Sequence, residues 1–256
     1  MSNIGKAFLK GKAFIPFITA GDPTMEHSYN YIIEMAKSGA DIIEIGIPFS
    51  DPIAEGPVIQ RANIRALKNN VTLFDVFSLT KKVREKTNVP IVYLTYYNPI
   101  LKFGVEEFFN TCQKSGVDGV IIPDLPFEES GEVLPFSNKA HVDLISLIAP
   151  TSKERIYKLA TNAQGYIYLV SSMGVTGVRS EIANDLNLIV DEIRNLTDVP
   201  VCVGFGINTE SQAREISKFA DGIIVGSAIV SIIENYCENA KDEIIKYVTK
   251  MKAALI

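Results

Sequence analysis

Apolar residues come in two rhythms along this chain. Short runs, nearly continuous or alternating, are followed by longer stretches in which apolar positions recur three and four residues apart. The first rhythm is that of buried strands and the second that of helices with one buried face. Strands are expected at residues 14–19, 41–46, 92–95, 119–122, 142–147, 166–170, 201–203 and 222–225. A helix opened by Asp22-Pro23 would bury Tyr29, Ile32, Ile33 and Ala36. Val76, Leu79 and Val83 form a second stripe, and Val105, Phe108, Phe109 and Cys112 a third. Thr72 with Asp75, Thr151 with Glu154, and Thr209 with Gln212 have the spacing of capping boxes. Further helices are expected from about Glu128, over residues 182–196 and over residues 241–251.

Faint repeats mark the returns from helix to strand: Ser38-Gly39-Ala40-Asp41, Ser115-Gly116-Val117-Asp118 and, more loosely, Phe219-Ala220-Asp221. A second form is Asn88-Val89-Pro90 and Asp198-Val199-Pro200. Glycine suits the left-handed position that ends a helix, and proline can open a strand without supplying a ladder donor. Eight strand–helix units in 256 residues average 32 residues each, the size of a βα unit. Right-handed crossovers of eight such units close into an α/β barrel, a (β/α)8 or TIM barrel, here a single domain over residues 1–256 with a short N-terminal helix. The competing fold is an open doubly wound sheet. It would carry a Gly-x-Gly-x-x-Gly turn after its first strand, where this chain has Ala20-Gly21-Asp22-Pro23.

Composition narrows the function. With 47% apolar residues and a net charge of −5, the chain is neither disordered nor a general polyanion binder, although a local phosphate site is allowed. Three cysteines (Cys112, Cys202, Cys237) without a C-x-x-C pair and two histidines leave no zinc cluster. The thiols read as free core residues. No apolar run is long enough for a membrane span, and the first twelve residues lack the pattern of a secretory leader.

Barrel chemistry sits at the carboxyl ends of the strands. There, Glu44 interrupts the apolar run of residues 42–47. If Ile43 and Ile45 meet the helices, alternation points Glu44 into the barrel. Burial would raise its pKa toward neutrality and suit it to proton transfer; a structural carboxylate satisfied by neighbouring donors is the plainer alternative. Glu55 and Asp51 lie in a loop of glycines and prolines, and Asp124 ends the fourth strand, as a second acid or as turn-capping groups. Tyr96, Asn98 and Tyr168 are further strand-end groups. Gly174-Val175-Thr176-Gly177, Gly204-Phe205-Gly206 and Gly226-Ser227-Ala228 follow the last three strands, where backbone N–H groups and a helix N-terminus commonly cradle phosphate. His27 and His141 are expected to stay outside the chemistry, and Arg61 and Arg65 to form a solvated helix face. With no metal cluster and no dinucleotide turn, a cofactor-free lyase or isomerase fits better than a redox enzyme.

Residues 15–23 (IPFITAGDP), 44–57 (EIGIPFSDPIAEGP), 174–177 (GVTG), 204–207 (GFGI) and 226–230 (GSAIV), in this order and spacing, resemble the alpha-subunit family of tryptophan synthase along the whole chain. The resemblance implies a (β/α)8 barrel that reversibly cleaves indole-3-glycerol phosphate into indole and glyceraldehyde 3-phosphate. It implies that Glu44 is the catalytic carboxyl moving a proton at indole C3. Glu55 falls where the family carries a second catalytic acid, normally an aspartate that receives the indole N–H. Phe17, Asp124, Tyr168 and Thr176 fall at substrate-binding positions, and Gly177, Phe205, Gly206, Gly226 and Ser227 at phosphate-binding positions. Met173 stands where some members have arginine. The family docks, through a segment resembling residues 48–55 with Pro48, Asp51 and Pro52, on a beta subunit in an α2β2 assembly. Pyridoxal phosphate belongs to that partner and none is expected in this chain. A bacterial cytosol, or a plastid stroma for a plastid-encoded chain, is the expected setting. The alternatives are a catalytically silent subunit that only activates its partner, prompted by Glu55, and a free-standing indole-releasing lyase or an isomerase of another phosphorylated metabolite.

Overall fold

The computed structural model describes residues 3–150, 153–171, 179–204 and 206–255. Its strands are β1 (Ala13–Thr19), β2 (Ile43–Gly46), β3 (Ile91–Leu94), β4 (Gly119–Ile121), β5 (Asp143–Leu144), β6 (Ser146–Ile148), β7 (Ile167–Val170), β8 (Val201–Gly204) and β9 (Gly222–Val225). All pairings are parallel, in the order β5-β4-β3-β2-β1-β9-β8-β7-β6. The two ends of this order are one stretch of chain. Only Ile145 separates β5, which pairs with β4, from β6, which pairs with β7. The sheet therefore closes on itself as the expected barrel.

The fifth strand, expected as one run over residues 142–147, is thus split. The Ile145 N–H still donates to the Val120 carbonyl, and beyond it the strand has changed partner from β4 to β7. Surrounding and linking the strands are α1 (Asn3–Ala7), α2 (Met25–Lys37), α3 (Pro57–Lys68), α4 (Leu73–Arg84), α5 (Tyr97–Phe103) and α6 (Val105–Ser115). They continue with α7 (Leu134–Lys139), α8 (Lys153–Thr161), α9 (Arg179–Arg194), α10 (Glu210–Ser217), α11 (Ser227–Tyr236) and α12 (Lys241–Ala253).

Alternation in the strands separates two apolar layers. Ile43, Ile45, Ile91, Tyr93 and Val120 pack outward against the helices, while Ile42, Val92, Ile121, Tyr166 and Cys202 fill the barrel. Ile4 of α1, fully buried, joins the interior layer. The repeats have a common physical cause. Each of their aspartates accepts an N–H at the start of a neighbouring strand and pairs with a cation: Asp41 takes Phe14 N–H and Lys252, Asp118 takes Ile91 N–H and Arg84, and Asp221 takes Val201 N–H and Arg194. Gly39 and Gly116 adopt positive φ, as the helix-ending role requires.

Capping boxes form at Thr72 with Asp75 and at Thr209 with Gln212; the one expected at Thr151 lies outside the described residues. The helix after β1 starts later than Asp22-Pro23. Thr24 caps it by accepting the His27 N–H, and Asp22 turns away to a guanidinium. From about Glu128 the chain makes a short 3-10 segment, Phe127–Glu132, before α7. Cys112 and Cys202 are buried as expected, but Cys237, at positive φ in the turn after α11, is exposed.

Candidate active site

A cavity of about 500 Å³ opens at the carboxyl ends of the strands. Phe17 from β1, Glu44 from β2, Leu94 from β3, Leu147 from β6, Tyr168 and Val170 from β7 and Ile224 from β9 form its floor and sides. Ala54, Glu55 and Gly56 contribute from the loop after β2, and Ile59 from α3. Gly206, Ile207 and Asn208 close it on the β8 side, with Gly226, Ser227, Ala228 and Ser231 at the start of α11. Two glycines make room for the rings: a Cβ on Gly46 would lie 2.5 Å from Phe17, and one on Gly204 would lie 2.4 Å from Tyr168.

Glu44 stands in β2 with Phe17 of β1 on one side and Val92 of β3 on the other. It faces the barrel interior, as alternation predicts, and is 1% exposed. The Tyr166 hydroxyl donates to its Oε1 at 2.5 Å. Burial pushes the Glu44 carboxyl up to about 8, and the Tyr166 bond only partly opposes this. Near neutrality the group therefore exists in both protonation states, as a proton carrier requires.

Glu55 reaches the same cavity from the loop. Its Oε2 accepts from the Tyr96 hydroxyl at 2.8 Å. That hydroxyl also accepts the N–H groups of Ile53 and Ala54, at 3.1 and 3.0 Å. Burial raises the Glu55 carboxyl above its ordinary value, and the Tyr96 bond works in the opposite direction.

At the far end of the cavity, the first turn of α11 presents its backbone. The cap residue Gly226 offers no side chain, and the first intrahelical bond runs from Val230 N–H to the Gly226 carbonyl. The N–H groups of the turn before it are the orphan donors of a helix start, with the positive end of the helix dipole behind them. Among the described lining residues none is lysine or arginine, so an anion here would be held by backbone N–H groups and hydroxyls.

The structure thus brings together Glu44, Glu55, Phe17, Tyr168, Gly206, Gly226 and Ser227. It does not bring in Asp124. That carboxylate accepts the Tyr97 N–H at 2.9 Å, fixing the start of α5, and lines an adjoining hollow while Pro123 reaches the cavity. Thr176, Gly177, Phe205, Gly174 and Met173 lie outside the described residues. In the segment resembling a docking loop, Pro48 is buried, Pro52 half-buried and Asp51 exposed. His27 sits on α2 beside Thr24, and His141 at the opposite end of the barrel.

Arg61 is exposed, as expected of a solvated face, whereas Arg65 is half-buried, and both are engaged in ion pairs. Both bond Glu234 of α11, and Arg65 also grips the buried carboxylate of Asp22 through two bonds of 2.8 Å. Tyr166, Asn208, Ile59 and Ser231 were not singled out from the sequence. Tyr166 had a legible signal, since alternation places it on the interior face with Tyr168.

A parallel barrel with a buried proton-active carboxyl at the end of β2, an apolar slot above it and a bare helix start beyond defines a barrel enzyme built for proton transfer on a ligand with an apolar and an anionic part. The family model described as "Tryptophan synthase alpha chain" matches residues 6–255. The tryptophan synthase alpha chain of Lacticaseibacillus casei is 46% identical over 255 residues, covering 100% of this chain and 96% of that one. That of Lactiplantibacillus plantarum is 45% identical, covering 100% and 97%. The crystal structure of tryptophan synthase subunit alpha from Legionella pneumophila superposes with a TM-score of 0.91 at 35% identity, covering 100% and 98%. The chain belongs to the tryptophan synthase alpha chain family.

Proposed function

We propose that Glu44 and Glu55 carry out in this cavity the family's reaction, the reversible cleavage of indole-3-glycerol phosphate to indole and glyceraldehyde 3-phosphate. The observation that carries the reading is Glu44, fully buried at the cavity floor with its proton affinity raised to about 8. Phe17, Leu94, Leu147 and Ile224 offer an apolar bed for the indole, and the start of α11 with Gly206 offers donors to the phosphate.

In the cleavage direction, neutral Glu44 gives its proton to indole C3. The ring becomes an indolenine cation, whose N–H is stabilised by the Glu55 carboxylate. Glu44, now ionised, takes the proton of the glycerol hydroxyl next to C3. The O–H electron pair forms the aldehyde, the carbon–carbon bond breaks, and its electron pair returns to the ring as neutral indole. Glu44 ends protonated, as it began. Tyr166 holds the Glu44 carboxyl in place through both states.

The partner that fits the family is a beta subunit receiving the indole. In the loop after β2, Ser50, Asp51 and Ile53 are exposed and available to touch it, whereas buried Pro48 supports the loop from beneath. Because the same loop carries Glu55, docking there would order a catalytic acid and raise turnover. The test is indole release from indole-3-glycerol phosphate, with and without a cognate beta subunit. Slow release alone and faster release in the complex is the expected result. A complex that forms but cleaves nothing would favour the silent regulatory subunit.

A further inference from the structure

We infer that Tyr96 is a positioning residue for this reaction, its hydroxyl clamping one carboxylate oxygen of Glu55 together with the loop backbone so that the other oxygen faces the ligand. The inference rests on the reading of Glu55 as the second acid.

Tyr96 follows β3, is 2% exposed, and stacks on Phe49 of the same loop with ring centroids 5.1 Å apart. A phenol has one proton and two lone pairs. The N–H groups of Ile53 and Ala54 can only donate, and they occupy the lone pairs. The phenol proton is then committed to Glu55 Oε2. The polarity of the network is fixed by counting donors and acceptors, not by choice of rotamer. Among the described residues, Tyr96 is the one hydrogen-bond partner of the Glu55 carboxylate, and Glu55 also lines the cavity. Among the described residues, one oxygen is therefore held by the protein and the other is available to a ligand N–H.

This accounts for the departure at position 55. Glutamate carries its carboxylate one methylene further than the aspartate the resemblance leads one to expect, and here that reach ends on Tyr96. The contact also adjusts the chemistry. A bond donated to the carboxylate favours its charged form against the opposing effect of burial, keeping Glu55 able to accept from an N–H.

The experiment measures kcat, KM and the pH profile of indole release for the full chain and for Y96F, E55D, E55Q and the Y96F/E55D double variant. Y96F is expected to lose roughly 10- to 100-fold in kcat, the scale of a bond to a charged group, with KM changed by no more than about threefold. The acid limb of its profile should move to higher pH, since Glu55 loses the donor that favours ionisation. E55D should lose turnover on a similar scale, and the double variant should be little worse than either single, because both remove one contact. Wild-type kcat and an unmoved acid limb in Y96F, or additive losses in the double variant, would overturn the inference. Should Y96F fail to fold, E55D decides alone, since it leaves the Tyr96 bonds to Ile53 and Ala54 in place: wild-type turnover there overturns the clamp. E55Q separates the two levels. Full activity in E55Q would remove the underlying reading of Glu55, whereas an inactive E55Q beside an unaffected Y96F would reject only the clamp.

Discussion

At the scale of single residues, Glu44 is held against its own solvation. A carboxyl with 1% exposure is more stable neutral, and its folded value of about 8 stands above the ordinary 4.5. Below 4.5 it is protonated in both folded and unfolded chains. As pH rises toward 8 the unfolded chain ionises first, so stability is lost through this window and levels off above it. The full shift corresponds to on the order of 5 kcal/mol. Glu44→Gln keeps an acceptor for Tyr166 but cannot ionise. It should therefore match the parent in thermal stability near pH 5 and exceed it near pH 8.5. Parallel melting curves across this range would show that burial does not govern the group. The direction of Glu44 was legible because an acid inside an apolar strand has only two faces to choose between. Its partner Tyr166 was overlooked because a tyrosine in a strand reads first as packing. For Asp124, position at a strand end was a true signal of location but not of aim, and its carboxylate is spent on the first turn of α5.

At the scale of elements, the site depends on two helices whose starts the hydrophobic pattern did not reveal. In α11, Ile229, Val230, Ile232 and Ile233 follow a strand at once, and such a short β-branched run does not distinguish strand from helix. In α3 the loop's glycines and prolines mask the start at Pro57. These helices pack together through Glu234, which Arg61 and Arg65 hold well into its charged form, at about 2. Arg65 also neutralises Asp22, at 1% exposure, just beyond β1. Arg65→Ala would strand that carboxylate without its cation. A loss of about 3 kcal/mol is expected, lowering Tm by roughly 6–12 °C in differential scanning calorimetry. A change of less than about 1 kcal/mol would mean that water replaces the guanidinium freely. The capping boxes at Thr72 and Thr209 were readable because they depend on local spacing alone. The ion-pair network was not, because Arg61 and Glu234 lie 173 residues apart.

For the whole molecule, closure of the barrel turns local patterns into a site. Eight strand positions were legible from alternation, and the aspartate repeats, whose bonds to strand N–H groups appear only in three dimensions, mark the amino ends of the strands. The chemistry collects at the other end, where the loop after β2 presents Glu55 inward and Ile53, 77% exposed, outward. If this loop couples the partner to the catalytic acid, Ile53→Glu should weaken stimulation by a beta subunit by about tenfold or more. Equal stimulation would place the docking surface elsewhere. The cleavage proposed for this cavity stands on the proton carried by Glu44. It is tested most directly by the turnover of Glu44→Gln on indole-3-glycerol phosphate, with the affinity for glyceraldehyde 3-phosphate measured beside it. The expected result is a fall in indole release of about 10³-fold or more, with product affinity within a few-fold of the parent. Near-normal turnover would contradict this role, and Glu44 would then be only a buried acid.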